Sequence, residues 1–147
     1  MERKEQGLAM AWSWTSSVPP SPEAPAVART FVESAMSSAY VDIAIVEETC
    51  EDLVVIVSEL VTNAVQAATS ALRIDLEIEA GAVRLAVTDA ASGMPTISGP
   101  AASSQPYGRG LAIVAALSHD WGVLPAAPPH DGKTVWARLV LAAAPDA

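Results

Sequence analysis

The 147 residues are 51% hydrophobic and 17% charged, with 8 Lys+Arg against 17 Asp+Glu and a net charge of -9. That length and apolar fraction suit one globular domain with its own core, while the acidic balance and the lack of any basic run exclude nucleic acid as a partner. A single cysteine, Cys50, rules out an intramolecular disulfide and metal sites built on clustered thiolates, and the longest apolar run after the mixed-charge start, LAIVAAL, is too short to span a bilayer. A cytoplasmic protein without a membrane partner is the expectation.

Residues 1–20 read as a polar extension ending in one strand, AMAWSWT, and 21–147 as a single domain. The proline-rich VPPSPEAP leads into a first helix, with Ser21 as N-cap, Pro22 as first helical residue, and Val27, Phe31 and Ala35 at helical spacing. A second helix is expected to open at Thr49, which with Asp52 forms a capping box, and to run to about Thr69. Period two then takes over. Leu72, Ile74, Leu76 and Ile78 face one way and Arg73, Asp75, Glu77 and Glu79 the other. Ala80-Gly81 makes a hairpin turn, and the returning strand puts Val83, Leu85 and Val87 on its buried face.

Ala90 to Tyr107 consists of small residues, Ser, Gly and Pro, over a length at which a structureless loop is more often a lid than a mere connection. GRGLAIVAALSHD follows as a short helix. WGVLPAAPPHDGKTVWARLVL closes the domain as a hairpin with Asp131-Gly132 in its turn. The order implies an α+β fold, a two-layer sandwich with helices on one face of a mixed, mainly antiparallel sheet.

Three polar residues stand out against this pattern. Glu59 and Asn63 lie together at the edge of the second helix's apolar stripe of Leu53, Val57, Leu60 and Ala64. Asp89 continues the buried parity of Val83, Leu85 and Val87. Each has an ordinary alternative: a solvated helix flank for the pair, an Asx-turn for the aspartate. Together they could face one cavity between helix and sheet. An exocyclic amine offers N–H groups to Asp89, a hydrated divalent cation suits the oxygens of Asn63 and Glu59, and Gly108-Arg109-Gly110 at the start of a helix supplies backbone amides for phosphate. An adenine nucleotide with Mg²⁺ fits all four features. Asp89 alone favours adenine over guanine, whose O6 would face it as a second acceptor.

Two common nucleotide motifs fail. Gly132-Lys133-Thr134 looks like the end of a P-loop, but position 127 is Ala and a strand follows; GRGLAI ends on Ile113 and follows no strand. His119 and His130 have no neighbours at triad or metal-ligand spacing and read as structural or surface residues.

SELVTNAVQAA, DAASGMP, GRGLAIVAALSHDWGV and GKTVWARL, in that order from about Val27 to Leu141, resemble the boxes of the GHKL (Bergerat-fold) ATPases. The likeness is closest to the bacterial anti-sigma-factor serine/threonine kinases and the related small ATP-binding regulators of actinobacteria. It implies a Bergerat-like, HATPase-type ATP-binding domain over 21–147 with ATP and Mg²⁺ as cofactors. By that resemblance Asn63 binds Mg²⁺, Asp89 the adenine amine, Gly93 the nucleotide's edge, Gly108, Arg109, Gly110 and Leu111 the phosphates, Thr134 assists at the adenine, and Glu59 is the general base. The implied partners are ATP or ADP and a protein, either an anti-sigma antagonist that receives the γ-phosphate or a sigma factor that is sequestered; a homodimer is left open. Glu59 favours the kinase. Ala67, where the family often has His, favours a binding module, and Ala91 replaces a glycine found in many members.

Overall fold

In the computed structural model, residues 2–6, 9–39, 43–68, 70–79, 81–90, 106–125 and 132–141 are described. Six strands form one sheet in the order β1-β2-β3-β4-β6-β5: β1 Glu2–Gln6, β2 Ala9–Val18, β3 Leu72–Glu79, β4 Ala82–Asp89, β5 Asp120–Pro125 and β6 Lys133–Val140. Every pairing among them is antiparallel, in keeping with the mainly antiparallel sheet expected from the sequence, and no parallel pair occurs among the described strands. Among the described residues three helices, α1 Ala24–Ser38, α2 Ile43–Ala67 and α3 Pro106–Leu117, pack as the second layer of the α+β sandwich.

Alternation builds the core from the sheet side. Leu72, Ile74, Leu76 and Ile78 of β3 are buried while Arg73, Glu77 and Glu79 are exposed and Asp75 is partly so. Val83, Leu85 and Val87 of β4 and Val135, Ala137 and Leu139 of β6 extend the same apolar face. Each fully buried Leu or Ile contributes about 1.5–3 kcal/mol, which fixes register, because a slip of one residue would turn this face to water. From above, α2 presses down the predicted stripe of Leu53, Val57, Leu60 and Ala64, widened by Ile56 and Val61.

The structure corrects three local expectations. β1 is a strand at the sheet edge, paired from Glu2↔Ser13 to Gln6↔Ala9, where the polar start promised none; an edge strand pairs through its backbone and needs no apolar alternation. α1 begins at Ala24 with Glu23 as N-cap and Pro25 in its first turn, because Ser21 instead accepts a turn bond from the Ala24 amide at 3.0 Å. Its buried face is Ala24, Ala28, Val32, Ala35 and Met36, whereas Val27 is 48% exposed. α2 starts at Ile43, so Thr49 sits buried inside it, not at its cap; IAIVEE contains no helix breaker, and the helix runs through it. No described helix is long and apolar enough to cross a membrane.

Candidate functional site

Glu59 and Asn63 lie one helical turn apart on α2, both partly buried beside the stripe that contacts the sheet. α3 packs against this edge of α2, anchored by Leu111 and Val114, which are 2% and 0% exposed. Gly110 lies close to the pair. A Cβ there would stand 2.6 Å from Glu59 Oε2 and 3.5 and 3.6 Å from Asn63 Nδ2 and Oδ1. Glycine therefore leaves room beside α3 for the Glu59 carboxylate, with the Asn63 amide at ordinary contact distance, and the Asn63 carbonyl oxygen is shielded from solvent.

Gly108 falls in the first turn of α3, as does Arg109. Amides of a first helical turn have no acceptor within the helix and carry the positive end of its dipole, a combination suited to phosphate oxygens. The Leu111 side chain belongs to the core, which leaves only its backbone for such a contact.

Asp89 ends β4 and is 4% exposed, on the helix-facing side that its parity with Val87 requires. Its carboxylate is paired with Lys133 of β6, opposite it in register: Lys133 Nζ lies 3.1 Å from Oδ2 and 3.4 Å from Oδ1. Both ends are buried, with side chains 8% and 2% exposed. Gly132 precedes the lysine at φ 118° with its α-carbon packed on the Asp89 carbonyl, where a Cβ would overlap the oxygen. The next rung, Thr88↔Thr134, faces the other way: the two hydroxyls share a hydrogen bond of 2.7 Å on the opposite sheet face, so the Thr134 side chain is not brought to Asp89.

Sequence reasoning missed Lys133, although a signal existed. The lysine shares the parity of Val135, Ala137 and Leu139, which marks it as inward-facing. His119 keeps its structural reading: its Nδ1 accepts a hydrogen bond from the Val140 amide at 3.1 Å. Gly93, Ala91, His130 and residues 91–105 of the lid expected from Ala90 to Tyr107 lie outside the described residues, while Pro106 and Tyr107, expected in that lid, already form the start of α3. Among the described residues no group of three or more His, Cys, Asp or Glu is placed to hold a metal ion. The oxygens of Glu59 and Asn63 beside the Gly110 cradle do fit a hard cation that takes its remaining ligands from phosphates and water.

The chain folds like a solved structure, that of the RsbU and RsbW domains of Rv1364c from Mycobacterium tuberculosis, with a TM-score of 0.60 at 19% identity. The match covers 88% of this chain and 32% of that one, so this chain spans about a third of its neighbour's length. No curated protein matches the sequence. The family model for the histidine kinase-like ATPase domain matches residues 18–139, a span that takes in α2 with its Glu/Asn pair, Asp89, α3 and nearly all of β6. A helix-edge carboxylate and carboxamide, a buried aspartate at a strand end and a glycine-containing helix start all lie inside that match, and the chain belongs to the histidine kinase-like ATPase domain family.

Proposed function

We propose that the protein is an Mg-ATP-binding regulator of the anti-sigma-factor kinase type, which passes the γ-phosphoryl group to a serine or threonine of a partner regulatory protein. The observation that carries this reading is the meeting of Glu59, Asn63 and the bare α-carbon of Gly110 between α2 and α3. A helix that exists only to pack has no need of a carboxylate and a carboxamide against a glycine.

In this reading Asn63 holds Mg²⁺, Asp89 takes the adenine amine, the backbone at Gly108, Arg109 and Gly110 meets the phosphates, and Gly93 borders the nucleotide, whereas Thr134, with its hydroxyl on the opposite sheet face, takes no part through its side chain. Bound Mg-ATP supplies the phosphoryl group and the charge neutralisation its transfer needs. Glu59 accepts the proton of the partner's hydroxyl as its oxygen becomes the nucleophile, general-base work that contributes roughly 10²- to 10⁴-fold. The partner is an anti-sigma antagonist and the compartment the cytoplasm. Incubating the purified chain with Mg-ATP labelled in the γ-phosphate and with proteins recovered from its native cell tests the proposal. Label on a partner serine or threonine supports it; absence of nucleotide binding refutes it.

A second reading rests on Ala67, which replaces a histidine frequent in kinases of this kind. It is a module that captures a sigma factor or other regulator and uses nucleotide only as a structural ligand. Nucleotide-dependent capture without label transfer distinguishes it.

A further inference from the structure

Resting on the nucleotide site proposed above, we propose that Lys133 determines base specificity and, together with Asp89, makes the base seat accept 6-oxopurines as well as adenine. The contact between the two side chains is buried and built in. Register places them opposite one another, Gly132 packs the start of β6 onto the Asp89 carbonyl, and the ammonium reaches both carboxylate oxygens, at 3.1 and 3.4 Å.

An aspartate alone is an acceptor and selects a donor, the 6-amino group of adenine; a 6-oxo group facing it leaves two acceptors opposed, which costs about tenfold to a hundredfold in affinity. An ammonium at contact distance changes this. It has three donors on a flexible stem, and a carboxylate has roughly four acceptor positions, so their mutual contact exhausts neither. Adenine's edge carries a donor at position 6 and an acceptor at N1. Hypoxanthine reverses that order, with O6 as acceptor and N1–H as donor. The aspartate meets the donor of either base while the lysine ammonium, which lies against both Oδ1 and Oδ2, meets the acceptor. Removing the lysine leaves only the acceptor half, and discrimination returns.

The test is calorimetric binding of Mg-ATP and Mg-ITP to the whole chain, ITP being the probe because it reverses the edge without adding guanine's 2-amino group. The parent is expected to bind both within about tenfold. Lys133→Met is expected to widen the ATP:ITP ratio at least about tenfold, and Lys133→Arg, which keeps the donors, to hold it. Thermal melting shows whether the variants fold, and the parent's own ratio decides the matter even if they do not. A parent preference for ATP above about tenfold overturns the inference, as does an unchanged ratio in a folded Lys133→Met. If the parent binds neither nucleotide, the nucleotide site itself is refuted and this inference goes with it.

Discussion

Gly110 and Glu59 are set so close that a methyl group on the glycine would stand 2.6 Å from the carboxylate oxygen Oε2. The obstructed atom is the free end of a flexible side chain, so Gly110→Ala is expected to fold. It should even gain from the roughly 0.5–1 kcal/mol by which alanine exceeds glycine inside a helix. The carboxylate has to move, however, and a general base displaced by about 1 Å can cost on the order of 10²-fold. Melting temperature at or above the parent's, combined with a phosphoryl-transfer rate lowered by roughly tenfold to a hundredfold, is the expected signature. Unchanged transfer would show that the Glu59 carboxylate takes no part in it.

Glu59→Gln and Asn63→Ala separate the two roles proposed on α2. The glutamine keeps volume and hydrogen bonding but loses basicity, so Mg-ATP affinity should survive while transfer falls roughly 10²- to 10⁴-fold. Asn63→Ala deletes a metal ligand, and affinity and transfer should fall together, with affinity no longer responding to Mg²⁺. Calorimetry with and without Mg²⁺, run beside a single-turnover assay, reads both. Two variants with the same defect would mean that the roles are not divided in this way.

The parts legible in the sequence were those where one face meets water and the other meets the core. β3 alternates as expected, and β4 does so apart from the small, buried Ala86, because most side chains have only one tolerable face, and the same parity carried Asp89 inward. The edge position of Glu59 and Asn63 followed from helical spacing alone. Local signals failed where tertiary contacts outweighed them. Ser21 and Pro22 looked like a helix start but form a turn before it, and Val27, the larger apolar residue, lost its core place to Ala24 and Ala28, which let α1 lie closer. Thr49 and Asp52 resembled a cap but stand inside a longer helix. The approach of Gly110 to the pair depends on how α3 crosses α2, which no local pattern encodes. Lys133 is masked in the sequence by the rule that lysines are almost always exposed, although its parity points inward.

Cys50 is partly buried on α2, and burial first, then the carboxylates of Glu33 and Glu51, push its thiol above the ordinary value. The folded state therefore holds the proton where the unfolded chain has released it. Its contribution to stability is complete below the unfolded thiol's pKa and is lost as pH rises through the folded one. Urea midpoints should decline above about pH 8.5 in the parent and less steeply in Cys50→Ala, and alkylation by iodoacetamide should reach half its maximal rate at a higher pH than in the urea-unfolded chain. Identical alkylation profiles for folded and unfolded protein would contradict the raised thiol.

Gly81 and Gly132 both have positive φ, 77° and 118°, but they differ in what surrounds them. Nothing lies within 4 Å of a Cβ built on Gly81, so Gly81→Ala carries only the backbone penalty, about 1–2 kcal/mol. At Gly132 a Cβ overlaps the Asp89 carbonyl oxygen and comes within 2.8 Å of the Ala90 α-carbon, both main-chain atoms that cannot rotate aside. Gly132→Ala therefore adds a forced shift of the β4 end to strain of about 1–3 kcal/mol, and its urea midpoint should fall well below that of Gly81→Ala. The functional contrast follows from place. Gly81 joins β3 to β4 at the end of β4 away from Asp89, whereas Gly132 holds Asp89 and Lys133 in register. At a temperature where both variants are folded, Gly81→Ala should bind Mg-ATP as the parent does and Gly132→Ala at least about tenfold more weakly, since a displaced carboxylate leaves the base with an imperfect partner. Equal affinities in the two folded variants would mean that the base does not sit on Asp89.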